Sequence, residues 1–170
     1  GWDQDPLARH KKSLKGNKKI KHWNYSITKL GFKYNMTDLM ASIGMVQLNK
    51  LNFFNNRRSH IIRSYMKSLK NCKRIKPAFP YELKKSSYWM FSIRCKKRDS
   101  LIDFLKSKKI ATTVYIKPLP LHPLYKKFKS KIPNSLKIWK ELVTVPTYPN
   151  MTKSQLRYVI KSLKEFDQGF

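Results

Sequence analysis

The chain has 170 residues, with 38 Lys or Arg against 9 Asp or Glu, so its formal net charge is +29 at pH 7. Hydrophobic residues make up 41% of it and aromatic residues 13%, which excludes a wholly disordered chain and indicates a real core. The sequence lacks a run of about 20 apolar residues, so we expect no membrane span. The charge favours polyanionic partners, yet no nucleic-acid recognition module accompanies it.

The histidines and cysteines show no metal-binding pattern. The histidines are far apart, and the cysteines lack metal-ligand spacing: His10, His22, His60, His122, Cys72 and Cys95. We therefore expect no metal site and two buried, reduced thiols, as is usual for a cytoplasmic protein. The five glycines form no phosphate-binding fingerprint.

The first predicted helix follows a basic region. Residues 1–30 contain "KKSLKGNKKIK", which is typical of an exposed loop, and then "HWNYSI", which has the alternation of a strand. Thr37 can cap a helix, and apolar residues at Leu39, Ile43 and Val46 have helical spacing. Gly44 within this helix suggests that another backbone passes close by.

A second helical segment is predicted to restart at Asn52 or Asn55 and to run to about Lys70. The two segments form either a long, bent helical hairpin or one kinked helix. Apolar residues share one stripe, with arginines at its margins: Ile61, Ile62, Tyr65, Met66 and Leu69, then Arg57, Arg58 and Arg63. The following "KPAFP" predicts a turn or an extended linker, because proline resists helix.

The remaining segments alternate between strand and helix patterns. "SYWMFSIRC" predicts a strand whose shared face carries Trp89, Phe91, Ile93 and Cys95. Asp99 is expected to cap a short helix, "IATTVYI" predicts a second strand, and the prolines of "KPLPLHPLY" predict irregular chain. A helix near residues 135–140, a strand at "LVTVP" and a last helix with a Thr-Lys-Ser-Gln capping box follow. The last helix is predicted to bury a stripe of Leu156, Val159, Ile160, Leu163 and Phe166. The fold class is therefore α+β, with a small, mainly antiparallel sheet covered by helices.

The order of these segments resembles the C-terminal part of the DegT/StrS-type sugar-nucleotide aminotransferases, which use pyridoxal phosphate (PLP). The matching stretches are "WNYSITKLGFKYNMTDLMASIGMVQL", "NNRRSHIIRSYMKSL", "YWMFSIRCKKRDSLIDFLKSKKIATTVYI", "KPLPLHPLY" and "VPTYPNMTKSQL". They cover nearly the whole chain in order. The resemblance implies the small C-terminal domain of the aspartate-aminotransferase-like (fold type I) PLP enzymes.

The resemblance also implies a domain organisation and a set of site residues. Residues 1–36 would end the large PLP domain and form a cofactor and dimer loop, residues 37–70 would be connecting helices, and residues 71–170 would be the small domain. In the family this loop reaches across a homodimer, which assigns Lys33 and Asn35 to the phosphate of the partner's PLP. A cation and an amide donor near a helix N-terminus suit that dianion. Tyr115 and His122 match substrate-facing positions.

The function implied is transfer of an amino group, with glutamate as the expected donor, to a nucleotide-linked keto sugar. The family's PLP-binding lysine and its pyridine-pairing aspartate lie upstream of these residues. We therefore interpret the chain as a fragment and assign no catalytic residue within it. Departures from the family include Tyr115 and Pro120 where histidines are frequent. Lys109 stands where a glycine commonly serves a left-handed helix end.

Two alternatives remain from the sequence. One is a non-catalytic basic α+β module that binds nucleic acid or another polyanion, and the other is a dimerisation or scaffold remnant. Nucleic-acid binders concentrate their cations on one face with aromatic residues interleaved. Here lysines occur along the whole chain, so the sequence predicts non-specific, salt-sensitive binding and no specific nucleic-acid partner.

Overall fold

The computed structural model describes residues 30–32, 34, 36–83, 86–125, 127–128 and 130–169. The predicted basic loop before residue 30 and the "HWNYSI" strand lie outside these residues. The chain divides into two compact units, Gly1–Val46 and Gln47–Phe170. The predicted domain boundaries at residues 36 and 70 stay a prediction.

The first helix, α1, spans Asp38–Leu69 without interruption. The Thr37 hydroxyl accepts a hydrogen bond from the Met40 amide at 3.3 Å, which confirms the predicted cap. No helix restarts at Asn52 or Asn55, so the hairpin alternative is wrong and the two predicted segments form one helix. Asparagine costs a helix interior less than about 1 kcal/mol, which is too little to interrupt a helix that the surrounding residues favour.

Helix α1 is buried only toward its C-terminal end, through Ile61, Ile62, Tyr65 and Leu69. The apolar side chains of its first half are exposed: Leu39, Met40, Ile43, Met45, Val46, Leu48, Leu51 and Phe53. A Cβ added at Gly44 would meet nothing within 4 Å. The close backbone expected at Gly44 is therefore not found among the described residues.

Three antiparallel strands form one sheet in the order β1-β2-β3, as the fold class predicts. Their bounds are Ile75–Pro77 for β1, Phe91–Cys95 for β2 and Leu142–Val145 for β3. Strand β1 was not predicted, because it occupies part of the proposed "KPAFP" linker. The predicted strand at "IATTVYI" is wrong: within the described chain this segment makes an isolated bridge, Thr113 to Thr144.

Three further helices flank the sheet: α2 at Arg98–Ser107, α3 at Pro133–Glu141 and α4 at Lys153–Gly169. The proline-rich segment forms two short 3-10 turns, Leu119–Leu121 and Pro123–Tyr125. The N-cap of α2 is Lys97, with Asp99 inside the first turn, so the predicted Asp99 cap is wrong. The Asp99 carboxylate instead accepts a hydrogen bond from Arg98 at 2.8 Å.

The capping box of α4 is confirmed in both directions. The Thr152 amide donates to Gln155 Oε1 at 2.8 Å, and the Gln155 amide donates to Thr152 Oγ1 at 3.1 Å. Four of the five residues predicted for its inner stripe are buried: Leu156, Val159, Leu163 and Phe166. Ile160 is partly buried and packs against the same core.

The core joins the C-terminal half of α1, the sheet, α2 and α4. The Tyr65 ring stacks on the Phe91 ring, with centroids 5.0 Å apart. Trp89 does not share this core as predicted, because 60% of it is exposed. Cys72 and Cys95 are buried free thiols, as expected, and burial raises the pKa of both.

None of the helices described is both long enough and apolar enough to cross a membrane. The same residues contain no group of three or more metal-ligating side chains close together.

Candidate functional site

A cavity of about 440 Å³ opens where strand β3 ends. Its wall is built from α1 through Arg58, from residues 111–113 and 115, and from residues 144–149. Trp89 and Met90 complete the lining. Segments that lie far apart in the sequence, from Arg58 to Pro149, therefore meet around one space.

Hydroxyl groups dominate the polar part of this lining. Five residues of the lining outside the sheet strands carry a hydroxyl group: Thr112, Thr113, Tyr115, Thr147 and Tyr148. The Thr147 hydroxyl already donates to the Val145 carbonyl at 3.0 Å. The Trp89 ring meets the Tyr115 ring edge to face, with centroids 5.1 Å apart. Hydroxyls beside an aromatic surface suit a ligand that is itself polar and ringed.

The adjacent arginines of α1 have different roles. Arg57 donates from Nε to the Pro149 carbonyl at 3.3 Å and from Nη2 to the Met151 carbonyl at 2.9 Å. Arg57 thus holds the chain that follows β3, whereas Arg58 lines the cavity. Neighbouring helical residues point about 100° apart, so one can support the wall while the other faces the space.

Tyr65 also holds the wall of this cavity in place, through the chain at Pro146. Its hydroxyl donates to the Pro146 carbonyl at 2.9 Å. Burial raises the pKa of this phenol well above its ordinary value, so it stays a neutral donor. Because Pro146 lies between Val145 and Thr147, this hydrogen bond fixes the segment that carries the Thr147 and Tyr148 side chains.

The segment that carries Tyr115 is held at both ends by unusual backbone. Lys109 has φ 56° and Ile116 has φ 55°, both in the left-handed region. The Lys109 value confirms the left-handed helix end predicted at this position. Ile116 is β-branched, for which a positive φ is a genuine outlier. Strain of this kind clusters at sites where a neighbouring side chain must be held in place.

The structure brings some of the predicted site residues together and not others. Tyr115 lines the cavity. His122 lies between the two 3-10 turns, with Nε2 at 3.3 Å from the Lys117 carbonyl, and is not part of this lining. Lys33 and Asn35 lie outside the described residues, so their assignment stays a prediction.

Arg58 was missed as a site residue. The sequence shows it as half of an Arg-Arg pair at the margin of the α1 stripe, which is also where solvent-exposed arginines occur. Only the return of residues 144–149 to α1 distinguishes Arg58, and that contact spans about 90 residues of sequence.

The chemistry of the lining decides how PLP could be held here. Neither a lysine nor a carboxylate is among the residues that line the cavity. Covalent attachment of PLP needs a lysine, and its pyridine nitrogen needs a carboxylate partner. The described lining therefore suits a polar ligand held without a covalent bond.

Comparisons with known proteins agree with this architecture. The model of the DegT/DnrJ/EryC1/StrS aminotransferase family matches residues 4–164, and the chain belongs to this family. It is 32% identical over 153 residues to the uncharacterized protein MJ1066 of Methanocaldococcus jannaschii, covering 84% of this chain and 40% of that one. It is 28% identical to the GDP-perosamine synthase of Escherichia coli O157:H7, covering 90% of this chain and 42% of the synthase.

Solved structures give the same result. The PLP form of the putative sugar aminotransferase Spr1654 from Streptococcus pneumoniae superposes with a TM-score of 0.77 at 28% identity, over 86% of this chain and 40% of that chain. The fold is therefore that of the C-terminal part of the fold type I aminotransferases. The chain spans about 40% of the length of the curated relatives it matches.

Proposed function

We propose that this chain supplies the substrate-facing wall of a PLP-dependent aminotransferase that acts on a nucleotide-linked keto sugar. The observation that carries the proposal is the cavity beside β3, which combines hydroxyl groups, an aromatic pair and one cation. Membership of a family with sugar-aminotransferase relatives supports a sugar as the ligand. PLP, when bound, supplies the electron sink for moving the amino group.

Within this cavity each described group has a binding role that follows from its chemistry. The Tyr115 phenol and the Thr112 and Thr113 hydroxyls can exchange hydrogen bonds with sugar hydroxyls. The Trp89 ring, packed against Tyr115, offers an apolar face for the sugar ring. The planar guanidinium of Arg58 suits a diphosphate better than an ammonium would, because it can donate two parallel hydrogen bonds.

The proposal extends to the loop before α1 and to a homodimer. Lys33 and Asn35 would bind the phosphate of the partner subunit's PLP, as the family resemblance implies. The described residues beside them are strongly exposed: Phe32 is 85% and Tyr34 is 86% exposed. Exposed aromatic side chains beside the loop support a second molecule as its neighbour. Glutamate is the proposed amino donor.

Calorimetric titration of the chain with three ligands tests the cavity: a nucleotide-linked sugar, the nucleoside diphosphate alone and the free sugar. The nucleotide-linked sugar should bind most tightly. Arg58→Gln should weaken binding of both diphosphates by about tenfold or more, because a charge-assisted hydrogen bond is worth roughly 1.5–3 kcal/mol. Arg63→Gln, at an exposed position of the same helix, is the matched control. Equal affinity of all three ligands for the three proteins would overturn the sugar-facing assignment.

A second titration tests the loop by comparing PLP with pyridoxal, which lacks the phosphate. Lys33→Ala should weaken PLP binding by about tenfold or more and leave pyridoxal binding unchanged. Asn35→Ala should have a smaller effect, because its amide is a neutral donor. Lys50→Ala, on the exposed half of α1, controls for the loss of one positive charge. An unchanged PLP affinity in the Lys33→Ala, Asn35→Ala double variant would show that this loop is only structural.

A further inference from the structure

A separate cavity of about 590 Å³ shares no lining residue with the first. Six of its ten lining residues are cationic: Lys73, Arg74, Lys76, Arg94, Lys96 and Lys97. Glu141 is the one acidic residue of the lining, whereas the first cavity has Arg58 as its one cation. The high positive charge of the chain is thus locally concentrated, which the even spread of lysines along the sequence did not predict.

The pairing of β1 with β2 forces part of this charge together. Lys76 stands directly opposite Arg94, and Ile75 stands opposite Cys95. Side chains alternate along a strand, and Ile75 and Cys95 are buried, so Lys76 and Arg94 share the outer face. Like charges directly opposite each other destabilise a sheet. The ion pair with Glu141 offsets the charge of Arg94, and an anion bound beside Lys76 would offset the charge that remains.

The carboxylates beside the cavity are already engaged. Glu141 Oε2 accepts hydrogen bonds from Arg94 Nε at 3.0 Å and from Arg94 Nη2 at 2.7 Å. The Asp167 carboxylate accepts the backbone amides of Lys73, Arg74 and Ile75 at 2.9, 2.7 and 3.0 Å.

These contacts leave cations that no carboxylate neutralises. Among the described residues, no ion pair within 4 Å joins Lys73, Lys76 or Lys96 to a carboxylate. The lining therefore retains a local positive charge, in addition to the general positive charge of the whole chain.

We propose that this cavity binds an oligophosphate group, either as a free inorganic anion or as part of a nucleotide. The volume lies within the range of small-molecule sites, roughly 300–1,000 Å³. Arg74 can donate parallel hydrogen bonds to phosphate oxygens, and the lysines act as point charges. Proteins that bind single-stranded nucleic acid commonly stack its bases on exposed aromatic rings, whereas the aromatic ring of this lining, Phe166, is fully buried.

Titration with inorganic triphosphate at about 0.15 M ionic strength, where exposed charges are screened beyond roughly 8 Å, tests the proposal. The site variant is Lys73→Gln, Lys76→Gln, Lys96→Gln. The control variant is Lys50→Gln, Lys137→Gln, Lys153→Gln, which removes three exposed lysines that do not line the cavity and gives the same net charge. One triphosphate per chain should bind, at least tenfold more weakly to the site variant and less than twofold more weakly to the control.

The outcomes distinguish binding at this cavity from non-specific attraction of an anion to the positive charge of the whole chain. Equal weakening in both variants, or several triphosphates bound per chain, would overturn the proposal. Equal binding of triphosphate and a nucleoside triphosphate supports an inorganic ligand, and tighter binding of the nucleotide supports a nucleotide. Tighter binding of an oligonucleotide, weakened equally by both variants, would overturn the proposal in favour of a non-specific nucleic-acid surface.

Chemical-shift mapping on the unmodified chain locates the site without mutation. Triphosphate should shift the backbone amides of residues 73–76 and 94–97 more than those near Lys137 and Lys153. Shifts spread evenly over the chain would count against the cavity. This result is independent of sugar binding, because the two cavities share no lining residue.

Discussion

The two halves of helix α1 are both rich in apolar residues, yet they have opposite environments. Ile61 and Ile62 are 1% and 0% exposed, whereas Ile43 is 58% exposed. Leu69 is fully buried and Leu39 is 73% exposed. Helical spacing of apolar residues thus predicts that a face can be covered, but the covering element is encoded elsewhere. For the C-terminal half, the described chain contains that element; for the N-terminal half, it does not.

The largest expected effect comes from removing the same side-chain atoms from each half of α1. Ile62→Ala should destabilise the fold by about 2–5 kcal/mol, because it leaves a cavity in a packed core. Ile43→Ala removes the same group from an exposed position and should change the free energy of unfolding by less than about 0.5 kcal/mol. Urea unfolding curves of the two variants measure both effects. Equal losses would mean that the first half of α1 is also packed.

The exposed half should drive self-association. Burying a leucine side chain is worth roughly 1.5–3 kcal/mol, so an interface that uses Leu48 and Leu51 should weaken about tenfold or more when both become serine. These side chains are 67% and 45% exposed, so the monomer's stability should hardly change. Sedimentation at several concentrations measures the association, with Lys50→Ser as the control on the same helix. A monodisperse unmodified monomer would contradict this expectation.

A smaller effect tests a single hydrogen bond on the buried half. Tyr65→Phe keeps the ring that stacks on Phe91 and removes only the donor to the Pro146 carbonyl. We expect a loss of about 1 kcal/mol in the free energy of unfolding. Tyr158→Phe removes a hydroxyl at 3.2 Å from the Lys108 carbonyl on the surface and should cost less. Similar losses in both variants would show that burial at Tyr65 adds nothing.

The smallest expected effect concerns the stability of the fold at acidic pH. Partial burial alone would raise the pKa of Asp167. Hydrogen bonds from the backbone amides of Lys73, Arg74 and Ile75 nevertheless hold this pKa below its ordinary value. The folded state then binds this proton less readily than the unfolded state. The ionised carboxylate therefore contributes to the stability of the fold. This contribution is fully present above the unfolded pKa of about 3.9 and is lost as the pH falls through the lower folded pKa.

Asp167→Asn should therefore flatten the stability profile below about pH 4. Thermal midpoints at pH 7 and pH 3 for both proteins measure this. Asp103→Asn, at an exposed position of α2, is the control. An unchanged acid slope in Asp167→Asn would show that the three amides do not bind the carboxylate in solution.

Local signals in the sequence predicted much of the fold. The capping box at Thr152, the stripe of α4 and the strands at Phe91–Cys95 and Leu142–Val145 depend on nearby residues, and each is observed. The left-handed Lys109 could also be predicted, because it stands where the resembling family commonly has glycine.

Features set by distant pairing could not be predicted in this way. The β-branched segment "IATTVYI" has strand propensity, but its ladder stops after Thr113 meets Thr144. The next hydrogen-bonded pair in this direction would place Ala111 opposite Pro146, which has no amide hydrogen to donate. Strand β1 arises only because β2 offers it a partner.

The candidate site also contains one residue that could be predicted from the sequence and one that could not. Tyr115 could be found because the resemblance marks its position, whereas nothing within a few residues of Arg58 separates it from Arg57 or Arg63. Burial and contact differ among these arginines only after residues 144–149 return to α1.

The left-handed residues at each end of the Tyr115 segment have a consequence for how this family can vary in length. Residues 110–115 are bounded by Lys109 and Ile116, whose backbones take a conformation that costs roughly 1–2 kcal/mol per residue. An insertion or deletion between them would shift one fixed end relative to the other and turn the phenol out of its place. Side chains within the segment can be exchanged, but its length cannot, so gaps between related sequences should fall outside these six positions.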